Sequence, residues 1–380
     1  MNIADTKRLI RALPHEIPVF LWGFPGIGKS QAVQQLAKED AEKSGKPVGF
    51  KDVRLTTLDP TDLRGLPVVD RESNLVRWFP PALLPSVRKD AKGKLTKDSD
   101  PETGYLMLDE LNSAHPTIQA AAYQLVLDRK IGEYILPEGW RIIAAGNREG
   151  DGGVTFVMPR PLQNRFSHIN VDVDVECWLE WARKEHISHV VRAFIMNNNK
   201  LLCDEKPTQG SAFATPRTWE YTSKIIKRDI DEDLLIPAIA NTIGEAVGAQ
   251  FITFVKLRNK IPNVINILTK GERPEIPKKS DLQYAFYAAF CGQLESLLAK
   301  TKGGAVTLGK NAKFKEGLLY IMEQVDREFA ELIVKFLAHD HGALFLGIVG
   351  NSKEFTKKFG NIYKEMMACV SKFKKKQNTK

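Results

Sequence analysis

An α/β fold is predicted, with a parallel five-stranded sheet in the first half of the chain and helices in the second. Three observations carry this. Apolar runs bounded by turn residues alternate with helix-like stretches as far as Val173, and such alternation gives a parallel sheet covered on both faces. One alternation holds a glycine-rich loop, "GFPGIGKS", between its strand and its helix. Beyond Pro216 the pattern is almost wholly helical through Val370.

The elements follow in order. The N-terminus, "MNIADTKRLIRAL", mixes acidic and basic residues without a long apolar region, so it does not read as a secretory signal. Val19–Gly23 is an apolar run, hence a buried strand, and the helical stretch Ser30–Ser44 follows it. Gly49–Leu55 is the second strand. Asp59 and Pro60 can cap and start a short helix that Gly65 and Pro67 end. Arg88 to Gly104 is polar and patternless, which predicts a mobile surface loop. Tyr105–Leu108, Trp140–Ala145 and His168–Val173 complete the strands, with a helix over Pro116–Asp128. Asn197 to Pro216 reads as a linker, and Lys270 to Ser280 breaks the helical part in two. The expected domains are a core over 1–175, a linker and helical lid over 176–272, and a helical extension with a basic tail over 273–380.

Composition bounds the function. The chain has 380 residues, 43% of them hydrophobic and 27% charged, as in ordinary globular proteins. No apolar stretch approaches the ~20 residues of a membrane span. Its four cysteines, Cys177, Cys203, Cys291 and Cys369, are far apart, so neither a disulfide framework nor a metal site is expected, and a reducing cytoplasm is the simplest compartment. Net charge is +9. Part of the excess sits in the terminal "KFKKKQNTK", which reads as a solvated end or as a contact for nucleic acid or an acidic partner.

The loop carries chemistry. Gly23, Gly28, Lys29 and Ser30 fit the phosphate-binding pattern GxxxxGK[ST]. Glycines let backbone N–H groups turn inward around a phosphate, and the following helix aims its N-terminal amides at the same anion. Gly23, Pro25, Gly26, Ile27, Gly28, Lys29, Ser30 and Gln31 are therefore expected to bind ATP. Lys29 would reach the β- and γ-phosphates, and Ser30 would bind Mg²⁺. "YLMLDE" ends an apolar strand in two carboxylates at the edge where α/β ligands bind. Asp109 would orient Mg²⁺ and Glu110 would polarise the attacking water. Asn147, at the end of "WRIIAAGN", can donate to the γ-phosphate or place the water; a loop-initiating Asn is the alternative. Arg165 in "MPRPLQNRF" is the candidate for an arginine supplied from a neighbouring subunit, with Arg160 and Arg148 behind it. Thr215 and Pro216 read as the N-cap and first residue of a helix. That puts Arg217 in a first turn, where the dipole disfavours a cation unless an anion is near. "HDH", His339 to His341, lacks the further partners of a metal site.

Taken together, these motifs resemble the AAA+ ATPases and, within them, the MoxR-type branch. "YLMLDELNSA", "AAGNRE", "NRF" and "ATPRTW" follow the phosphate loop in that family's order, and "RLTTLDPTDLRGLP" resembles the branch's own signature. The match covers roughly residues 15 to 260. The resemblance implies an AAA+ P-loop core followed by an α-helical lid and an α-helical C-terminal extension. It implies pore-type insertions near 68–85 and 129–140, and a hexameric ring with ATP between subunits. Glu110, Asn147, Arg217 and the loop would act in cis, and Arg165 in trans. It also implies a protein partner, of a von Willebrand factor A-domain or metallopeptidase-like kind, remodelled at the cost of ATP. A nucleic-acid-dependent motor is the alternative, suggested by the basic balance and the insertions. A nucleotide-gated scaffold with little turnover is a third reading, opposed by the presence of Glu110 and Arg165.

Overall fold

The computed structural model describes residues 1–71, 74–148, 150–151, 155–208, 210–301 and 303–349. The chain gathers into two compact units: residues 1–180, 203–208 and 215–218 form one, and the remainder forms the other.

In the first unit the strands are β1 (Val19–Trp22), β2 (Val48–Arg54), β3 (Leu66–Asp70), β4 (Leu75–Phe79), β5 (Thr103–Asp109), β6 (Lys130–Ile131), β7 (Tyr134–Ile135), β8 (Trp140–Gly146) and β9 (Ser167–Asn170). Its helices are α1 (Ile3–Ala12), α2 (Lys29–Ser44), α3 (Pro60–Arg64), α4 (Pro116–Asp128), α5 (Arg160–Gln163) and α6 (Val175–Lys184), which runs past the unit's boundary. Five strands make one parallel sheet in the order β2-β5-β8-β1-β9. β8 is buried along its whole length, and β5 is buried from Gly104 to Leu108. Both read as unbroken apolar runs because helices cover both faces of such a sheet.

Strand order decides where a ligand can sit. From β1 the chain passes through α2 to β2 at one edge, returns through β5 and β8, then crosses β1 to reach β9. The neighbours β1 and β8 thus send their connections in opposite directions. Connections that leave in opposite directions open a crevice at the carboxyl ends of the two strands.

The first unit carries two antiparallel hairpins besides the sheet. β3 and β4 pair from Leu66↔Phe79 to Asp70↔Leu75. Leu66, Val69, Leu75 and Phe79 are 67%, 67%, 60% and 59% exposed, so this hairpin presents apolar side chains to solvent. β6 and β7 turn through Gly132, whose φ of 57° favours glycine. The hairpins lie at residues 66–79 and 130–135.

One expectation is corrected in part. Arg88 to Glu102 is a largely exposed surface loop, as expected, but an ordered one. The Asp90 carboxylate accepts the Lys92 and Lys94 amides at 2.9 Å each, and Lys89 bridges Leu95. Asp100 accepts the Ser86 amide at 2.8 Å and faces Lys51 at 3.3 Å, and Thr103 already belongs to β5. Short acidic side chains substitute for ladder partners here, so order arises without periodicity.

The second unit is helical. It holds α7 (His189–Asn197), most of α8 (Pro216–Ile226), α9 (Glu232–Ile243), α10 (Glu245–Lys256), α11 (Val264–Lys270), α12 (Ser280–Lys300), α13 (Gly304–Lys310), α14 (Ala312–Gln324), α15 (Arg327–Asp340) and α16 (Gly342–Val349). Phe194, Trp219 and Phe251 meet ring to ring at 5.1–5.5 Å in its core. Lid and extension belong to this same unit, although the sequence divided them at 272–273. α14 approaches α11 so closely that a Cβ on Gly317 would lie 2.5 Å from the Ile267 carbonyl, and Tyr320 bonds Pro274 at 2.7 Å. Among the described residues no single helix is long and apolar enough to cross a membrane; α15 and α16 pass only as a pair bent by 117°. The basic tail from Lys372 to Lys380 and Cys369 lie outside the described residues.

Trp140 organises the sheet's far end. It is fully buried, bonds the Pro101 carbonyl at 2.9 Å and shares one row of the sheet with Gly104 and Gly49. A Cβ on either glycine would lie 2.5–2.8 Å from the indole. Trp140→Ala is expected to cost about 3–5 kcal/mol, read as a lower urea midpoint; a change under about 1 kcal/mol would remove the indole from this role.

Candidate nucleotide site

The loop between β1 and α2 opens at the crevice defined above. Gly26 and Gly28 have φ of 79° and 96°, a region that side chains rarely enter. Gly28 is the N-cap of α2, and no side chain caps the helix's first turn, which also lacks an acidic residue. The leading amides of α2 therefore remain available to an anion. Gly23 is required by close approach: a Cβ there would lie 2.6 Å from the Val171 carbonyl oxygen and 2.7 Å from Ile27 Cδ1. Ile27 is buried at 4% exposure, so its side chain packs inward, whereas Gln31 is exposed and Pro25 half-buried.

Lys29 is 9% exposed. Its Nζ donates to the carbonyls of Gly23 and Phe24 at 2.5 and 3.1 Å and to Asn147 Oδ1 at 3.1 Å. These partners are neutral. Burial pushes the Lys29 ammonium down to about 8, against the pull of Asp109 and Asp151 and with the push of Arg217 and Arg148.

Beside it, the Ser30 hydroxyl donates to Asp109 Oδ2 at 2.7 Å. A hydroxyl and a carboxylate side by side are hard oxygen donors. They suit Mg²⁺, which takes one or two protein ligands and completes its shell with phosphate and water. Among the described residues no group of three His, Cys, Asp or Glu forms a self-sufficient metal cluster. A Mg²⁺ here would therefore need phosphate oxygens.

Glu110 follows Asp109 in the left-handed region, at φ 59°, and its carboxylate turns toward the exit of β2. Thr56 donates its hydroxyl to Glu110 Oε2, and Arg54 Nε lies 3.8 Å from Oε1. Asp52, also on β2, has its carboxyl pushed up by burial and by the charges of Asp109 and Glu110, although Arg54 opposes this. Sequence reading singled out none of Asp52, Arg54 or Thr56. Arg54 and Thr56 stand in the quoted "RLTTLDPTDLRGLP" without a role given to either, and Asp52 lies two residues before it.

Asn147 lies at the end of β8, and its backbone is held on both sides by Asn112, another residue that the motifs did not single out. Arg217 reaches the loop through its own amide, which donates to Gly26 O at 3.2 Å. The Thr215 N-cap is present: its Oγ1 accepts the Thr218 amide at 3.1 Å, and the Thr218 hydroxyl accepts the Thr215 amide at 2.7 Å. Thr215 also presses on the loop, since a Cβ on Gly26 would lie 3.0 Å from its Oγ1.

Arg165 is exposed and sits two residues before β9, at the amino edge of the sheet. Lys29, Asp109 and Asn147 gather at the carboxyl edge, so Arg165 stands apart from its own chain's crevice. Arg160 begins α5 nearby and is exposed. Arg148 is engaged with Asp172 at 2.8 Å.

No family model matches the chain. Over 180 residues, 45% of the chain, it is 30% identical to midasin of Giardia intestinalis; the match spans 3% of that protein's length. Among solved structures, it is similar to the RuvB Holliday junction branch migration motor of Thermotoga maritima. That likeness has 16% identity and a TM-score of 0.35, and covers 82% of this chain and 89% of the other. It is also similar to NtrX of Brucella abortus in complex with ATP, at 14% identity and a TM-score of 0.36, over 78% of this chain and 64% of the other. At these scores the structural likenesses carry no weight, and the fold rests on the strand order itself.

The depressed Lys29 value has a consequence for stability. Between pH 8 and the ordinary lysine range the unfolded chain binds the proton that the folded chain has released, so stability rises with pH across that window. Below pH 8 the charged, buried ammonium costs on the order of 3 kcal/mol. Lys29→Met is expected to raise the melting temperature at pH 7 by a few degrees and to flatten the rise between pH 8 and 10. A variant that melts lower than the wild type at both pH values would contradict the burial argument.

Proposed function

We propose that this chain is a MoxR-like AAA+ ATPase that works as a ring subunit and remodels a protein partner in the cytoplasm. The observation that carries the reading is the meeting of Lys29, Ser30, Asp109 and Asn147 in one crevice, beside helix amides that no side chain caps. Uncapped amides and a buried cation at the end of a parallel sheet favour a polyphosphate.

The roles follow from position. Loop amides and Lys29 hold the terminal phosphates. Mg²⁺ held by Ser30 and Asp109 would draw charge from the phosphate oxygens. Asn147 orients the water or the γ-phosphate. Glu110 exchanges the Thr56 hydroxyl for that water and takes its proton as the oxygen attacks phosphorus. The bond to the bridging oxygen breaks, and ADP leaves with the electron pair. Arg217 adds positive charge from the first turn of α8. Arg165, at the opposite edge of the sheet, serves the site of the adjacent subunit, which favours a homo-oligomeric ring. The exposed apolar side chains of the β3–β4 hairpin favour a protein partner, for which a von Willebrand factor A-domain or metallopeptidase-like protein is the proposed kind. The net charge of +9 supports the second reading, a nucleic-acid-dependent motor; DNA-stimulated turnover that is lost steeply with salt would favour it.

Two measurements test the assignment. Glu110→Gln is expected to keep ATP affinity while turnover falls by about 100-fold or more; wild-type turnover would refute the base. Arg165→Ala and Lys29→Ala subunits, each inactive alone, are expected to regain part of the activity when mixed, because some interfaces then join an intact Lys29 to an intact Arg165. Confirmed co-assembly without recovery would count against an arginine acting in trans.

A further inference from the structure

Asn112 is 4% exposed and sits in the turn immediately after Glu110. That turn is closed by the Ser113 and Ala114 amides, which both donate to the Glu110 carbonyl at 3.0 Å. The Asn112 side chain reaches across to the end of β8. Its Nδ2 donates to the Asn147 carbonyl at 2.7 Å, and its Oδ1 accepts the Asn147 amide at 3.2 Å. Its own carbonyl accepts the Phe156 amide at 2.7 Å. The fit leaves no slack: a Cβ on Gly146 would lie 2.1 Å from Asn112 Oδ1. Asn147, held in this way, presents its own Oδ1 to Lys29 at 3.1 Å.

We propose that Asn112 is a positioning residue that locks Asn147 to the Glu110 turn, so that the water-activating carboxylate and the phosphate-facing amide keep one geometry. The reason is chemical. As the chain leaves β8, the Asn147 peptide has one donor and one acceptor to place in a buried setting. A primary amide answers both at once without adding charge, with its donor and acceptor on separate atoms spaced to meet the two ends of the peptide. Through the Phe156 amide the same residue grips the segment that leads through α5 to Arg165. A change at the phosphate-facing end thus has a covalent and hydrogen-bonded route to the edge that faces the next subunit. This inference rests on the ATPase reading above.

The test compares wild type, Asn112→Ala and Asn112→Asp, with Lys29→Ala as the control for the reading itself. Affinity for a fluorescent ATP analogue with Mg²⁺ is expected to stay within about threefold of wild type in both Asn112 variants. The kcat of Asn112→Ala is expected to fall by about 100-fold, the scale of a misplaced reacting geometry. Asn112→Asp keeps the acceptor but sets a buried carboxylate oxygen against the Asn147 carbonyl, so a fall at least as large is expected. Hydrogen exchange at the Asn147 amide should accelerate in Asn112→Ala while β1 keeps its protection, a local effect that general loosening would not produce. If Asn112→Ala does not fold, the isosteric Asn112→Asp carries the same comparison. Unchanged kcat, or affinity falling as far as kcat, would overturn the positioning role while leaving the ATPase reading intact. A wild type without turnover whose nucleotide binding is indifferent to Lys29→Ala would overturn both.

Discussion

The charge on Lys29 is the constraint around which the first unit is arranged. An ammonium that is 9% exposed is bonded to two carbonyls and a side-chain amide, and among the described residues no carboxylate lies at bonding distance from it. Such a group destabilises the protein that holds it. The nearby carboxylates Asp109 and Asp151 offset the burial only in part, and Arg217 and Arg148 work against them. A polyanion entering the crevice would answer Lys29, Arg217 and the uncapped amides of α2 together. Such a ligand would relieve an unfavourable electrostatic arrangement that the fold already holds in place.

Close approach of backbones is the second theme. Gly23 lets the loop touch the strand end at Val171, Gly26 admits Thr215, and Gly146 admits Asn112. Each is a place where a side chain would push apart two segments that must share the site. The same device works away from the chemistry, where Gly49 and Gly104 make room for Trp140. These contacts explain why the site is assembled from stretches far apart in the chain: the loop near residue 25, the β5 end near 110, the β8 end near 147 and the start of α8 near 217.

The helical unit has a separate basis for order. Its centre is aromatic, around Phe194, Trp219 and Phe251, and its long helix α12 is buried through Tyr284, Phe286 and Phe290. A polar chain also runs within it: Arg192 donates to His189, and His189 faces Glu295 at 2.9 Å. This chain borders a cavity of about 1270 Å³.

The local and periodic features were legible from sequence. Apolar runs bounded by turn residues announced the five strands, of which β1, β5 and β8 are mostly buried, and the order glycine, lysine, serine between strand and helix announced the loop. The Thr215–Pro216 pair marked a helix start, and two carboxylates after an apolar run marked Asp109 and Glu110. Each of these signals lies within a few residues, where dihedral preference and side-chain period act. What only the tertiary structure decided is which distant groups meet. Asn112, Thr56 and Arg54 stand inside quoted motifs without a role of their own, and Asp52 lies beside one; they matter because strand order sets β2, β5 and β8 side by side with their ends aligned. The order in Arg88 to Gly104 was hidden because isolated acidic caps, not repeats, hold it. The union of lid and extension was hidden because a Pro-rich break looks the same whether the helices on either side separate or pack together. Sequence spacing records local geometry, whereas packing across the fold depends on where the chain returns, and a parallel sheet lets it return after a hundred residues.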